Sequence, residues 1–375
     1  MSSYPQLQKL QNKNTILERE NEQLKELLLA SKPYLHRLSL VSSDSAVANI
    51  LLKINNVIRP TVESATTTTE VLPDHINEND NININISKTI DAHHDSVNQV
   101  VCSKDNSLIV SASSDRTCKV WASETCELVK TLKGHTNIVT CCAISSNNNF
   151  VVSGSVDRTI KMFELHTGQC IRTLDGPLQH TAAILSVCIS DDNNTIISGS
   201  LDNLIKLWFR GQNFHTMEGH SAAVNCVVLS KDNTMIASCS WDKTIKLFST
   251  ATAKLIKTFI GHEYSINCIA ISDNNSILVS ASGDGSVKIW EVSSGTCIST
   301  LVGHNGNVTS VCLSSCNKMI ISGSEDCTIK LWDRNSLKCI STLKSQNVGI
   351  NTVVVANQNE YIISGTKDFK IFMWK

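Results

Sequence analysis

The sequence predicts an all-β repeat fold preceded by a short α-helical segment, and three observations predict it. A histidine or its substitute recurs at His93, His135, His180, His220, His262, His304 and Gln346, at intervals of 42, 45, 40, 42, 42 and 42 residues. An aspartate follows each of these by 22 residues, at Asp115, Asp157, Asp202, Asp242, Asp284, Asp326 and Asp368. A Trp or Phe follows each aspartate by six, at Trp121, Phe163, Trp208, Phe248, Trp290, Trp332 and Trp374. Offsets held constant through seven copies mark a repeat architecture, in which each unit buries its faces only against its neighbours.

Each unit reads as four strands. Four residues after the histidine stands a β-branched residue (Val97, Val139, Ile184, Val224, Ile266, Val308, Ile350), which opens a run rich in Val, Ile, Cys and Ala. Asn/Asp clusters follow, such as Asn147-Asn148-Asn149 and Asp273-Asn274-Asn275; their side chains tolerate left-handed backbone and favour tight hairpins. The second strand ends in Ser-Gly-Ser or a close variant. The aspartate then turns the chain into a third strand of the Thr-Ile-Lys-Leu-Trp kind, and a fourth, such as 296–301, leads to the next histidine. Seven such units make a seven-bladed β-propeller over residues 83–375. The last unit stops at Lys375, after its third strand. Ile86-Ser87-Lys88-Thr89-Ile90 before His93 matches Ile340-Ser341-Thr342-Leu343 before Gln346, so an N-terminal strand is expected to close the ring and cover the edge.

These units resemble the WD-repeat family. Gly-His stands at Gly134-His135, Gly219-His220, Gly261-His262 and Gly303-His304, and Trp-Asp survives at Trp332-Asp333. Ala92 and Gln179 replace the glycine, Gln346 the last histidine, and Phe163 and Phe248 the tryptophan. The resemblance implies that indole, serine hydroxyl, imidazole and carboxylate form a buried chain in each blade. It is complete around His93/Asp115/Trp121, His180/Asp202/Trp208, His262/Asp284/Trp290 and His304/Asp326/Trp332 and incomplete in blades 2, 4 and 7. Hydroxyls stand both two and four residues before every aspartate, and the sequence leaves open which one joins. The same residue types serve as nucleophile, base and orienting carboxylate in hydrolases. An enzyme needs one such set, whereas this one recurs in nearly every blade. No Gly-x-Ser-x-Gly elbow or Walker loop occurs, so the expectation is no enzyme and no cofactor.

Composition agrees. The 375 residues hold 33 Lys and Arg against 34 Asp and Glu, a net charge of -1, which gives no global attraction to nucleic acid or anionic membrane. No apolar run long enough to span a bilayer and no signal-peptide pattern is seen. The expected location is the cytoplasm, with the nucleus left open. The 15 cysteines are expected to be reduced and buried as small apolar side chains, several at fixed offsets within the repeat. No Cys-x-x-Cys spacing suggests a metal site.

Ahead of the propeller, Leu7, Leu10, Asn14, Leu17, Asn21, Leu24 and Leu28 occupy successive a and d positions of a heptad repeat. Residues 5–32 are therefore expected to form a coiled-coil helix. Lys13 faces Glu18 and Glu20 faces Lys25 across a parallel homodimer. A single helix folded onto the propeller is the alternative. Residues 33–60 are expected to form a second amphipathic helical segment between Pro33 and Pro60, and 61–82 a polar flexible linker.

Function is then expected to lie in protein binding. In propellers of the resembling family, partners dock on the rim of histidine loops and aspartate turns. The residues before the aspartates are Ser114, Val156, Leu201, Trp241, Gly283, Glu325 and Lys367. Blades 2 to 4 place large apolar side chains there, and positions three and five after the histidine add Ile138, Ala183, Leu185 and Ala223. The expected role is a dimeric scaffold that binds a partner peptide or helix at these residues. The alternative is a signalling subunit similar to the G-protein β subunit, whose N-terminal helix pairs with a different small chain. A further alternative leaves only Trp241 exposed, with Val156 and Leu201 turned into blade packing.

Overall fold

A computed structural model describes residues 84–175, 179–356 and 360–375. The heptad segment, the second helical segment and the linker lie outside the described residues, as does most of the Gly176-Pro177-Leu178-Gln179 loop. Among the described residues no helix is long and apolar enough to cross a membrane.

The described residues form seven four-stranded antiparallel sheets. Blade 1 runs from Val97–Cys102 through Leu108–Ser113 and Thr117–Ala122 to Leu128–Lys133. The first strands of successive blades lie side by side, and Val97–Cys102 meets Ile350–Ala356 of blade 7 to complete the circle. Second strands are buried on both faces while fourth strands are largely exposed, because each sheet is sandwiched between neighbours and only its outer edge meets water. The apolar cores consequently lie between blades. Val110, Val120 and Leu132 of blade 1, for example, pack with Val139, Val151 and Phe163 of blade 2.

Ring closure follows the sequence expectation. Ile86–Asp91 is the fourth strand of blade 7 and pairs antiparallel with Lys370–Trp374, Ile86 opposite Trp374 and Asp91 opposite Lys370. Asn85 and Lys375 exchange two backbone hydrogen bonds of 3.0 Å just beyond it. The hairpins joining first to second strands carry asparagine at φ of 57 to 60° (Asn106, Asn148, Asn193, Asn233, Asn275, Asn317), the left-handed conformation that asparagine tolerates best after glycine. Blade 3 is the shortened one. Arg210 and Gly211, both at positive φ, join its third and fourth strands in a two-residue turn, which accounts for the 40-residue interval.

Candidate functional site

In blades 1 to 6 both serines of each turn are engaged, in different tasks. The one four residues before the aspartate joins the ring network. In blade 1 the His93 Nδ1–H donates to Asp115 Oδ2 (2.8 Å), and Ser111 Oγ lies 2.7 Å from His93 Nε2 and accepts the Trp121 indole N–H at 2.9 Å. The imidazole–carboxylate contact recurs in blades 1 to 6 at 2.6 to 2.9 Å. The serine two residues before the aspartate instead accepts the aspartate's backbone N–H and donates to a loop carbonyl, as Ser113 does to Asp95 O. In blades 2 and 4 the serine meets a phenyl ring and no indole. In blade 7, Trp374 still donates to Ser364 (2.9 Å), while Asp368 takes a hydroxyl hydrogen bond from Thr366 in place of an imidazole.

Each carboxylate is richly hydrogen-bonded. Asp115 accepts from His93, the His94 N–H, the Thr117 N–H and the Thr117 hydroxyl. Burial by itself raises its pKa, but the hydrogen bonds from Thr117 and His93 outweigh that and hold it at about 2. Asp202 and Asp326 are likewise held at about 2 against the effect of burial. Burial lowers the imidazoles of His93, His180 and His304 despite their carboxylate partners. A neutral ring suits the geometry. Ser111 accepts from the indole and can then donate to Nε2, so every polar atom is paired. These serines are wholly buried, and the six His–Asp–Ser sets tie the turns to the strands.

What varies above this network is the outer face. In each blade the N–H of the residue before the aspartate donates to the carbonyl of the residue three past the histidine: Val156 to Ile138 (2.9 Å), Leu201 to Ala183 (2.9 Å), Trp241 to Ala223 (3.0 Å). The structure thus pairs the sequence candidates blade by blade. Trp241 is 49% exposed, Leu201 42% and Ile138 36%, while Val156 and Ala183 are half-buried. Ala223 corrects the expectation: at 3% exposure it serves as backbone under Trp241 and offers no side chain to a partner. Tyr264, two residues past His262 and 62% exposed, extends this surface onto blade 5. The Lys243 ammonium stands 5.9 Å from its ring. Tyr264 stands at the second position after the histidine, outside the third and fifth positions expected to face a partner.

The fifth position is the larger correction. In every blade it is the extra residue of a β-bulge at the start of the first strand, as Asn98 is between Val97 and Gln99 and Leu185 between Ile184 and Ser186. A bulge re-aims a side chain out of the sheet, here toward the next blade. Asn98 donates to Val139 O (2.8 Å), Thr140 to Ile184 O (2.6 Å), Asn225 to Ile266 O (3.1 Å), Asn267 to Val308 O (2.8 Å), Thr309 to Ile350 O (2.7 Å) and Asn351 to Val97 O (2.9 Å). Six of the seven seams are laced in this way. Leu185, half-buried, stands at the seventh and cannot donate.

The cysteines are all free. Burial pushes the thiols of Cys102, Cys141 and Cys188 up to about 12, in keeping with inert strand packing. Cys170, Cys297, Cys316 and Cys339 depart from the expectation and are exposed, the first, second and fourth because they begin outer strands. Among the described residues no group of His, Cys, Asp or Glu could hold a metal ion. A cavity of about 340 Å³ at the opposite mouth of the ring is lined by Cys102, Ile144, Ile189, Leu229 and Ile271 with Lys104, Asp191, Lys231 and Asp273. It is spanned by Lys104–Asp191 at 3.0 Å.

Seven segments, residues 85–122, 126–164, 168–208, 211–249, 253–291, 295–333 and 337–375, match the family model described as WD domain, G-beta repeat. Each begins in or just before the fourth strand of one blade and ends with the third strand of the next, so every unit links two blades. No curated protein matches the chain.

Proposed function

The chain belongs to the WD domain, G-beta repeat family, and on that premise we propose that it is a non-catalytic adaptor that binds a peptide or helix of another protein on the turn-bearing face of blades 2 to 4. Val156, Leu201 and Trp241 are the anchors, with Ile138 and Ala183 beside them. The observation that carries this reading is the exposure of Leu201 and Trp241 at equivalent positions of adjacent blades, where the last blades carry the Glu325–Lys367 ion pair instead. Large apolar side chains left in water above a fully satisfied network do nothing for the fold. A Trp among them matches the composition of binding hot spots. The test compares the proteins retained by the immobilised full-length chain with those retained by Trp241→Ala and Leu201→Asp. Loss of the same protein from both variants supports the reading, and unchanged retention by both overturns it.

The reading includes a parallel homodimer through residues 5–32, which would present two such faces to one target and raise the effective concentration of the second contact. It also places the protein in the cytosol, supported by its free thiols. Light scattering on the full chain and on a chain starting near Asn77 tests the dimer. A mass near twice 41.0 kDa for the first, beside a monomer for the second, is expected. Two monomers would favour a helix that awaits a different small chain.

A further inference from the structure

Six of the seven seams between blades are laced by an Asn or Thr side chain that reaches the carbonyl four residues past the next histidine, and the seam between blades 3 and 4 is the exception. The acceptor that Leu185 leaves without a side-chain donor is the carbonyl of Val224. It lies close to Gly199, where an added Cβ would stand 3.2 Å from the Val224 oxygen. Blades 2, 6 and 7 share this glycine; in blades 2 and 6 the fifth residue is Thr140 or Thr309, whose hydroxyl lies within hydrogen-bond reach of both the glycine carbonyl and the next blade's carbonyl, and in blade 7 it is Asn351, which reaches the Val97 carbonyl. Blade 3 therefore has the backbone for the link and lacks the side chain. The seam is held deeper down, where Ser186 Oγ accepts the Val227 N–H at 3.1 Å, so the gap is confined to the mouth of the ring. It falls on the blade that carries exposed Leu201 and borders the one that carries exposed Trp241.

Resting on the reading above, we propose that this gap is the specificity-determining point of the face: an extended partner segment seats an uncharged, apolar side chain against Leu185, between Leu201 and Trp241, and gives a hydrogen bond to the Val224 carbonyl. Charge complementarity selects this occupant. Leu185, Ala183, Leu201 and Trp241 are all uncharged, and the Lys243 ammonium stands over Tyr264 of blade 5, so an acidic or basic anchor seated among these four would be desolvated with no counter-charge from them. At the corresponding positions of blades 6 and 7, Glu325 and Lys367 satisfy each other at 2.7 Å. A carbonyl with no side-chain donor beside an apolar side chain gives orientation as well as area, as small polar groups do in otherwise apolar sites. Filling that carbonyl from within the ring should abolish recognition.

The experiment selects a phage-displayed library of random dodecapeptides on the immobilised full-length chain. The affinity of the enriched peptides is then measured for wild type, Leu185→Thr, Leu185→Met and Trp241→Ala, with thermal melts showing that each variant is folded. The proposal expects peptides with an uncharged apolar anchor, a loss of about tenfold or more on Leu185→Thr, and affinity within about twofold on Leu185→Met. Peptides that lose affinity on Trp241→Ala but bind Leu185→Thr as well as wild type would overturn the inference and leave the adaptor reading standing. Peptides indifferent to both substitutions, or no enrichment over the bare support, would overturn both. Melting of Leu185→Thr far below wild type transfers the test to Leu185→Met and Leu185→Asn. Asparagine there copies Asn98 and is expected to lose the peptides in the same way, and retention by a folded Leu185→Asn would count against the proposal.

Discussion

In each blade two adjacent residues follow opposite rules. The aspartate of the turn is the same in all seven copies and accepts a set of hydrogen bonds that scarcely changes from blade 1 to blade 6. The residue immediately before it is Ser, Val, Leu, Trp, Gly, Glu or Lys, and its side chain is bound by nothing the other blades share. The first position repeats because every blade needs the same turn to fold against its neighbour. The second varies because the fold asks only for its backbone N–H. Repetition therefore maps the structure, and departures from repetition map the surface available for binding.

Acid is the perturbation expected to act most strongly on the repeated position, since it reaches six sets at once. Asp115, Asp202 and Asp326 are held at about 2, below the ordinary value of about 3.9 for an unfolded chain. A carboxylate depressed in the folded state contributes stability that is present above its unfolded pKa and is lost as pH falls through the folded one. The imidazoles of His93, His180 and His304 are lowered below their ordinary 6.5. The unfolded chain therefore gains their protons first, and their contribution declines as pH drops below 6.5. The melting temperature should be flat from pH 8 to 7, fall below about pH 6.5 and fall more steeply below about pH 4. A melting temperature that stays constant from pH 7 to pH 4 would contradict the neutral-imidazole network.

Single substitutions sharpen the contrast within the repeated set. Asp284→Ala in blade 5 strands His262, the Glu263 N–H and Ser286 together and should cost about 3 kcal/mol in denaturant unfolding. Asp368→Ala in blade 7, where no imidazole depends on the carboxylate, should cost about 1 kcal/mol. Equal losses would mean that the histidine link is not what distinguishes the blades. Of similar size is Trp290→Phe, which turns blade 5 into a copy of blades 2 and 4. Ser280 loses its indole donor but keeps His262, so about 1 kcal/mol is expected.

The same division explains what could be read from the sequence. Blade number, strand order and the closing strand were legible because each follows from offsets that recur, and the match between two short strings implied that Ile86–Asp91 would complete the last blade, without giving its register. Which serine joins the network was not legible, since both hydroxyls sit at constant spacing and only geometry separates Ser111 from Ser113. The fifth position misled for a related reason. Asn98, Thr140 and Leu185 look like exposed loop residues, but a bulge turns them toward the next blade, and period-two alternation carries no sign of a bulge. Ala223 failed because a small residue looks alike in sequence whether it caps a surface or lies beneath a tryptophan.

The smallest effect on stability should come from the variable position, and there the two rules separate most cleanly. Trp241→Ala keeps the only interaction this position shares with every other blade, the N–H to the Ala223 carbonyl, because a backbone donor survives any substitution except proline. Half of the indole is already in water, so its removal costs the fold only the packing of the other half. Unfolding free energy should change by no more than about 0.5 kcal/mol, while partner affinity falls by about 2 kcal/mol or more, as at a hot spot. Leu201→Ser should behave alike with a smaller loss of affinity, having less area to give. A Trp241→Ala chain destabilised as much as Trp290→Phe would show that the indole packs on the blade, and the proposed partner face would then reduce to Leu201 and Ile138.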